Sequence, residues 1–258
     1  MTTEAELTRP GVPLKDMPEE AKRIVDHARA SGIQLRMMGG LAVRMQCSMP
    51  SFCERPYSDI DLVGLSSESP KIVRVFKDLG YVPDLAFNAL HGAQRLKFED
   101  HVNNRHAEVF MDMFRMDHTL DFRGRLDIDP YTISLSDLFL TKIQVVKLDR
   151  KDYHDMFSIF RDHKVGIDDR EGVINARYIA HLCAQDWGLY HTVLRNLEKL
   201  PSFYDEFKLE KGERDSMDRR LWVLRLMIIE EAKGPIWKAR DRLGERLPYF
   251  EVVEHVDE

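Results

Sequence analysis

Two aspartates separated by one residue lie inside a short apolar run, and they constrain the fold more than any other feature of this chain. The run is Ser58-Asp59-Ile60-Asp61-Leu62-Val63. In a β-strand, residues i and i+2 point to the same face, so the two carboxylates project together. Two carboxylates on a strand cost free energy of folding unless they are solvated or bind a cation. Their oxygens are suitable ligands for Mg²⁺. The pair therefore predicts a strand with a phosphoryl-transfer site. A capped turn or a salt-bridged edge strand is the alternative for the pair taken alone.

A glycine pair, Gly39-Gly40, precedes the aspartates. It falls between a short strand expected over 33–38 and a helix expected from Leu41. Such a turn lets backbone N–H groups approach a phosphate at the helix N-terminus. It is not a P-loop, because no Gly-Lys-[Ser/Thr] follows. A glycine pair by itself is usually only a turn.

A third carboxylate is expected on a later strand, because a two-metal site needs more oxygen ligands than one pair supplies. The segment 107–114 predicts a strong strand. Alternation places Glu108 and Asp112 on one face, together with Phe110 and Phe114. Either acid could complete the site, and the other would then be a solvated acid at the strand end.

The composition narrows the class of protein. The chain has 258 residues, a net charge of -6, 43% hydrophobic and 32% charged residues, which are ordinary values for a globular protein. The acidic balance argues against a broadly basic nucleic-acid coat, although a local basic groove remains compatible with it. We expect no signal peptide, no membrane span and a cytoplasmic location. The three cysteines, odd in number, favour a protein whose thiols are reduced. The alternative is that Cys47 and Cys53 form a disulfide that acts as a redox switch.

The pattern along the chain predicts two domains. Strand and helix signals alternate up to residue 134, and almost only helices follow, which is typical of an α/β domain joined to a helical one. We expect a loose lead-in over 1–16, a sheet domain over 17–134, a helical domain over 135–250 and an acidic tail over 251–258. The predicted helices are 18–31, 69–79, 135–148, 151–162, 171–184, 188–199, 216–233 and 235–243, and strands with a turn at Gly92 are predicted over 81–98.

Taken together, these motifs resemble the nucleotidyltransferase superfamily to which DNA polymerase β belongs. The matching residues are Met38-Gly39-Gly40, Asp59-Ile60-Asp61-Leu62 and a later acid. The spacer departs from the family, because the 18 residues between Gly40 and Asp59 exceed the usual length. The resemblance implies an α+β fold, namely a mixed sheet with flanking helices, followed by an all-helical C-terminal domain.

A second stretch is similar to the abortive-infection-type nucleotidyltransferase toxins and a little-characterised bacterial branch related to them. It comprises the helical segment around Lys142, then Lys151, Asp152 and Asp155, while Arg55-Pro-Tyr-Ser precedes Asp59. In that bacterial branch a His-Thr-Leu triplet, here His118-Thr119-Leu120, follows the strand of the third acid. This likeness favours Glu108 over Asp112, although the branch usually has Asp there.

The resemblance implies an Mg²⁺- or Mn²⁺-dependent transfer of a nucleotide from an NTP. Asp59, Asp61 and Glu108 would hold the metals, Gly39 and Gly40 would cradle the triphosphate, and Lys142 would neutralise it. Lys142 on an apolar helix stripe could otherwise simply snorkel, and helix capping explains Asp152. Arg55 and Lys151 are further candidates.

The acceptor stays open at the level of the sequence. A tRNA 3′ end or a protein side chain would suit a toxin with an antitoxin partner, and an aminoglycoside would suit a resistance-type enzyme. Two other classes remain, namely a non-catalytic nucleotide-binding protein with the same fold and a purely structural helical module. The second leaves the aspartate pair unexplained.

Overall fold

A computed structural model describes residues 11–251. The first ten residues of the expected lead-in, and residues 252–258 of the expected acidic tail, lie outside the described part. The contacts divide the described chain into two units. Unit 1 comprises 11–45, Glu54–Phe114 and Asp121–Ile133, and unit 2 comprises Gln46–Cys53, Arg115–Leu120 and 134–251. The expected mixture of a sheet with flanking helices and a mostly helical remainder is confirmed.

Unit 1 contains a five-stranded mixed sheet with the order β1-β2-β5-β4-β3. Strands β2 and β5 are parallel, and the other neighbouring pairs are antiparallel. The strands are β1 (Leu35–Met37), β2 (Asp59–Gly64), β3 (Val82–Pro83), β4 (Arg95–Asp100) and β5 (Arg105–Met111). The helices are α1 (Met17–Ala30), α2 (Gly39–Gln46), α4 (Ser69–Asp78) and α5 (Leu85–His91), with a 3-10 turn at Ser66–Glu68.

One face of this sheet is apolar and is covered by helices. Ile60, Leu62, Phe98, Ala107 and Val109 are fully buried. Phe76 of α4 stacks on Phe98 with a ring-centroid distance of 4.0 Å. Burial of this face anchors the sheet, because apolar area removed from water stabilises at roughly 25 cal/mol per Å². The alternating side chains of β2, β4 and β5 consequently point to the opposite face.

Helix α5 corrects part of the expectation of strands over 81–98, since β3 and β4 lie there as expected but residues 85–91 are helical. Asp84 caps this helix, because its side chain accepts a hydrogen bond from the Phe87 N–H at 2.9 Å. Asn88 then binds the backbone of Lys97 on β4, accepting from its N–H at 2.7 Å and donating to its carbonyl at 3.0 Å. These contacts with β4 stabilise a helix where strand-like periodicity alone predicted a hairpin.

Unit 2 is helical apart from one small sheet. Its helices are α3 (Pro50–Cys53), α6 (Leu135–Ile143), α7 (Arg150–Asp162), α8 (Ala176–Gln185), α9 (Trp187–Lys199), α10 (Lys211–Glu230) and α11 (Pro235–Leu243), with 3-10 turns at Leu200–Phe203 and Gly244–Arg246. Strands β8 (Lys164–Gly166) and β9 (Val173–Asn175) pair in parallel, so the C-terminal part is not purely helical. Two further short strands, β6 (Met113–Arg115) and β7 (Thr119–Asp121), lie where the chain passes between the units.

Helix α6 ends earlier than the periodicity predicted. It stops at Ile143 rather than continuing to 148. The Asn196 side chain donates to the carbonyls of Ile143 and Val145 at 2.9 and 2.7 Å, and Asp117 accepts from the Val146 N–H at 2.6 Å. Side chains distant in sequence therefore satisfy backbone groups that a longer helix would have paired internally. No helix in the described part of the chain has the length and apolar character needed to cross a membrane.

Candidate active site

Three carboxylates predicted from the sequence lie on adjacent strands of the sheet. Asp61 of β2 and Glu108 of β5 are direct partners across the parallel pair, and Asp59 is paired with His106. The alternation of β2 places Asp59 and Asp61 on the face opposite to the buried Ile60 and Leu62. The strand register therefore brings Asp59, Asp61 and Glu108 onto one polar face, which we call the acidic face.

Basic side chains lie beside these acids. Arg95 Nη1 of β4 is 3.1 Å from Glu108 Oε2, and His106 Nε2 is 3.9 Å from Asp59 Oδ2. Lys97, the partner of Glu108 across β4 and β5, points to the same face. Asp59 is substantially exposed, whereas the Glu108 side chain is only 12% exposed. The acidic face thus combines carboxylates for cations with basic groups for anions.

Gly39 fits its place because a side chain would collide with Asp61. Its φ of +66° lies in the left-handed region, which L side chains rarely adopt. A Cβ there would lie 2.4 Å from Asp61 Oδ2. The neighbouring Met38 N–H donates to the Asp61 carbonyl at 2.9 Å. The first residue of α2 is thereby held directly against the predicted metal ligand, with the positive end of the helix dipole at that point.

Gly40 makes a similar close approach to Arg55. A Cβ at Gly40 would lie 2.2 Å from Arg55 Nη2. The Arg55 guanidinium also lies over the Tyr57 ring, 5.0 Å from its centroid. Gly39, with its positive φ, is needed for this packing, whereas the atoms that approach Gly40 most closely belong to the flexible end of Arg55. The segment before Asp59 supplies a cation at the start of α2, which suits an anionic ligand such as a phosphate.

Asp112 does not join the acidic face. Strand β5 ends at Met111, and Asp112 adopts a positive φ of 62°. Its carboxylate accepts a hydrogen bond from the Ser66 N–H at 2.9 Å and so orders the turn after β2. The alternation expected over 107–114 was wrong beyond Met111, because the backbone leaves the extended region there. At about 3.3 Å per residue, Asp112 lies about 13 Å along the chain from Glu108.

The remaining predicted residues belong to unit 2. Lys142 is largely buried, and its Nζ lies 2.9 Å from Asp155 Oδ2 and 3.9 Å from Asp152 Oδ1. Asp152 also forms a capping box with Asp149 at the start of α7, and burial raises the pKa of its carboxyl. Lys151 is exposed on the same helix. The predicted role of Lys142 toward a triphosphate stays a prediction, and its observed partners are carboxylates.

The acidic face offers a donor set that fits a hard divalent cation, since all three ligands are carboxylates. Between residues 11 and 251, one set of three His, Cys, Asp or Glu residues brings its ligand atoms, one from each residue, within 4.8 Å of one another. This set is Cys47, Cys53 and Asp162. The two cysteines form a disulfide, so their sulfurs are not free to bind a metal. The oxygens of Asp59, Asp61 and Glu108 share a face but have not converged, and Glu108 is paired with Arg95.

His106 was missed by the sequence interpretation. The strand was expected to start at Ala107, whereas it starts at Arg105. Extending the alternation of Glu108 by two residues toward the N-terminus would have placed His106 on the same face.

The Cys47–Cys53 disulfide overturns the expectation of three reduced cysteines. It closes a short loop in the long spacer between Gly40 and Asp59. This loop is held in unit 2 by hydrogen bonds to α7, from the Ser48 N–H to Asp162 Oδ2 at 2.7 Å and between His154 Nε2 and the Phe52 carbonyl at 2.6 Å. The spacer that departs from the family pattern is therefore an ordered element.

Two of the solved structures that this chain resembles show limited similarity to it. No family model and no curated protein matches the chain. A lincosamide antibiotic adenylyltransferase, LnuA, bound to lincomycin, is 15% identical, with 53% of this chain and 91% of that chain covered and a TM-score of 0.39. An antigenic nucleotidyltransferase-like protein from Paracoccidioides brasiliensis is 14% identical, with 76% and 94% covered and a TM-score of 0.43.

Proposed function

We propose that the acidic face is the catalytic centre of a metal-dependent nucleotidyltransferase. The observation that carries this proposal is the register of Asp59, Asp61 and Glu108 on two adjacent parallel strands, beside a glycine pair packed against Asp61 and Arg55. Three acids at neighbouring positions on one face of two paired strands are unexpected for a purely structural sheet. Their arrangement next to a helix N-terminus suits a metal-bound triphosphate.

In the proposed reaction, an acceptor hydroxyl attacks the α-phosphorus of an NTP. The bond from the α-phosphorus to the oxygen bridging it to the β-phosphate breaks, and pyrophosphate leaves while the hydroxyl proton passes to solvent. Bound Mg²⁺ or Mn²⁺ ions would activate the hydroxyl and neutralise the developing charge. Asp59 and Asp61 would hold both ions, Glu108 would hold the one at the acceptor, and the backbone at Gly39-Gly40 would receive the phosphates.

A non-catalytic nucleotide-binding protein is the second candidate. The ion pair between Arg95 and Glu108 favours it, because Arg95 competes with a metal ion for the Glu108 carboxylate. Under this reading, nucleotide binds at the start of α2 without transfer. The two candidates differ in a measurable product, since only the first forms a labelled acceptor.

The acceptor classes to be compared are tRNA, protein and small hydroxylated molecules of the aminoglycoside type. The net charge of -6 disfavours an extended nucleic-acid surface. A toxin-like role would bring an antitoxin partner. We also propose a cytoplasmic location, where the Cys47–Cys53 bond would form only under oxidising conditions.

The test incubates the full chain with Mg²⁺ or Mn²⁺ and each α-labelled NTP, using total RNA, lysate protein and a panel of aminoglycosides as acceptors. We expect label on one acceptor class, and loss of it in the double variant Asp59→Asn/Asp61→Asn. Glu99→Gln is the matched control, since Glu99 lies on the same face opposite His106 but outside the carboxylate set. A γ-labelled NTP should leave the acceptor unlabelled.

The outcomes separate the two candidates. Transfer of the γ-label would replace nucleotidyl transfer by phosphoryl transfer. Metal-dependent NTP binding without any labelled acceptor, lost in Asp59→Asn/Asp61→Asn, would support the non-catalytic candidate. Equal transfer by the wild type and the double variant would contradict the proposed site.

A further inference from the structure

Unit 2 contains a cavity of about 830 Å³ that the proposed reaction does not use. The segment around His118, the start of α9, the start of α11 and residues 248–251 surround it. All of its lining residues belong to unit 2. This volume lies in the range of about 300–1,000 Å³ that is typical of small-molecule sites.

Aromatic side chains form much of the cavity wall. Trp187, Trp237, Tyr249 and Phe250 line it, and Trp187 and Tyr249 meet edge to face at 5.8 Å. The indole N–H of Trp237 donates to the Cys183 carbonyl at 3.0 Å, and that of Trp187 donates to Asp241 at 2.6 Å. Because both N–H groups are already satisfied, the indoles present carbon rather than N–H groups to the cavity, while Arg240 and His191 lie against the Trp187 ring.

The charged residues lining the cavity are mostly acidic. The lining includes three acids and a single arginine, namely Asp117, Asp186, Glu251 and Arg240. The Arg240 guanidinium lies 4.5 Å above the Trp187 ring and donates to the carbonyls of Gly244, Leu247 and Pro248. These contacts hold the guanidinium in place, and three carboxylates against one arginine leave the lining with an excess of negative charge.

Structural roles account for only part of this acidity. Asp186 caps α9 by accepting at Oδ1 from the Gly188 and Leu189 N–H groups at 2.7 and 3.1 Å. Asp117 Oδ2 accepts from the Val146 N–H. His118 does not supply a second cation at neutral pH, because burial lowers its pKa by more than the nearby acids Asp186, Asp117 and Glu251 raise it.

We propose that this cavity is a binding site for a small organic cation, an ammonium group carried on an apolar, aromatic-sized body. The rings of Trp237, Tyr249 and Phe250 attract a cation through their quadrupoles, and the carboxylates favour it electrostatically. The apolar body fills the space between the rings, where removal of water from carbon surface stabilises binding. This site is independent of the proposed nucleotidyl transfer and makes no use of the acidic face.

The test uses three probes with the same phenylbutyl body, namely 4-phenylbutylamine, 4-phenylbutan-1-ol and 4-phenylbutyrate. Their affinities for the full chain are measured by ligand-observed NMR and isothermal titration calorimetry. We expect the amine to bind about tenfold more tightly than the alcohol, and the carboxylate to bind most weakly. Binding of the amine no tighter than the alcohol, or no binding of any probe at millimolar concentration, would overturn the proposal.

A pair of substitutions at Ile236 that introduce opposite charges tests whether the probes bind in this cavity. Ile236 lines the cavity on α11 but is 86% exposed, so its substitution should not disturb folding. Both Ile236→Lys and Ile236→Glu remove the same apolar side chain. We expect the lysine variant to bind the amine about tenfold more weakly than the glutamate variant. Trp222→Lys, at an exposed site of α10 outside the lining, should leave the affinity unchanged. Equal affinities in the two Ile236 variants would contradict the assignment.

Discussion

Asp61 and Glu108 are direct neighbours across the parallel strands β2 and β5. In the observed state Glu108 is paired with Arg95, whereas Asp61 lies against the backbone of Gly39. The register places the two carboxylates at neighbouring positions on adjacent strands, and the proposed metal site requires both of them. This relationship leads directly to the first prediction.

Glu108→Gln should abolish most of the proposed activity, whereas Asp112→Asn should not. Loss of one carboxylate ligand is expected to reduce the rate of nucleotidyl transfer on the order of 100-fold or more, as for other groups that stabilise transition-state charge. Asn at position 112 tolerates the positive φ and can still accept from the Ser66 N–H. Steady-state rates of label transfer check this, and equal losses in both variants would reopen the choice of third acid.

Gly39→Ala should impair the site, and Gly32→Ala is its matched control. Both glycines have nearly the same φ, +66° and +68°, so both substitutions cost about 1–2 kcal/mol of backbone strain. A Cβ at Gly32 meets nothing within 4 Å, whereas one at Gly39 collides with Asp61. Gly32→Ala should therefore lower only the Tm. Gly39→Ala should in addition reduce transfer on the order of 100-fold, because the carboxylate is displaced. If Gly39→Ala and Gly32→Ala were equally stable and equally active, displacement of the Asp61 carboxylate would not be the cause.

Lys142→Met should destabilise the chain strongly. The substitution removes the cation that lies 2.9 Å from Asp155, whose side chain is 2% exposed, and breaking a buried ion pair in this way costs about 3–5 kcal/mol. The double variant Lys142→Met/Asp155→Leu should regain much of this free energy of unfolding, as measured in urea. If Lys142 also neutralises a triphosphate, the double variant will recover stability but not NTP affinity. Recovery of both would assign Lys142 to structure alone.

Reduction of Cys47–Cys53 should lower the free energy of unfolding by about 2 kcal/mol, the value expected from chain entropy for so short a loop. The variant Cys47→Ser/Cys53→Ser should reproduce this loss. Native alkylation followed by mass spectrometry gives a check, with two labels expected after mild reduction. Cys183 should stay unlabelled because it is fully buried and burial raises the pKa of its thiol. Labelling of the native protein before reduction would show that the bond is absent.

Acidification should destabilise the protein through two buried histidines. Burial lowers the pKa values of His118 and His163 below the ordinary 6.5, so the unfolded chain binds protons first. Their contribution to the free energy of unfolding is fully present above about pH 6.5 and is lost as the pH falls. Each histidine accounts for a loss of no more than about 1.4 kcal/mol per pH unit. Urea unfolding at pH 7.5 and 5.5 measures the loss. It should be smaller in His163→Gln than in the wild type, and unchanged in the control His101→Gln, whose side chain is exposed.

Patterns in the sequence correctly predicted the helices and strands that are stabilised mainly by residues close to one another along the chain. Helix α1 was expected over 18–31 and is observed at Met17–Ala30, because Asp16 caps it and its apolar positions recur with helical spacing. The aspartate pair and its strand were likewise evident, since period-two alternation is a local property. Helix α5 was missed because Asp84 and Asn88 obtain part of their effect from contacts with β4.

The sequence by itself determined which side chains share the face of each strand, and hence the association of Asp59 with Asp61. Only the tertiary structure decided which strands are neighbours, and so placed Glu108 rather than Asp112 beside Asp61. It also decided that Arg95 pairs with Glu108 and Lys142 with Asp155. The cavity of unit 2 has the same origin, since its lining comes from separate segments spread between Asp117 and Glu251. The physical reason is that strand pairing, burial of charge and cavity formation depend on distances in space, which residue spacing along the chain does not specify.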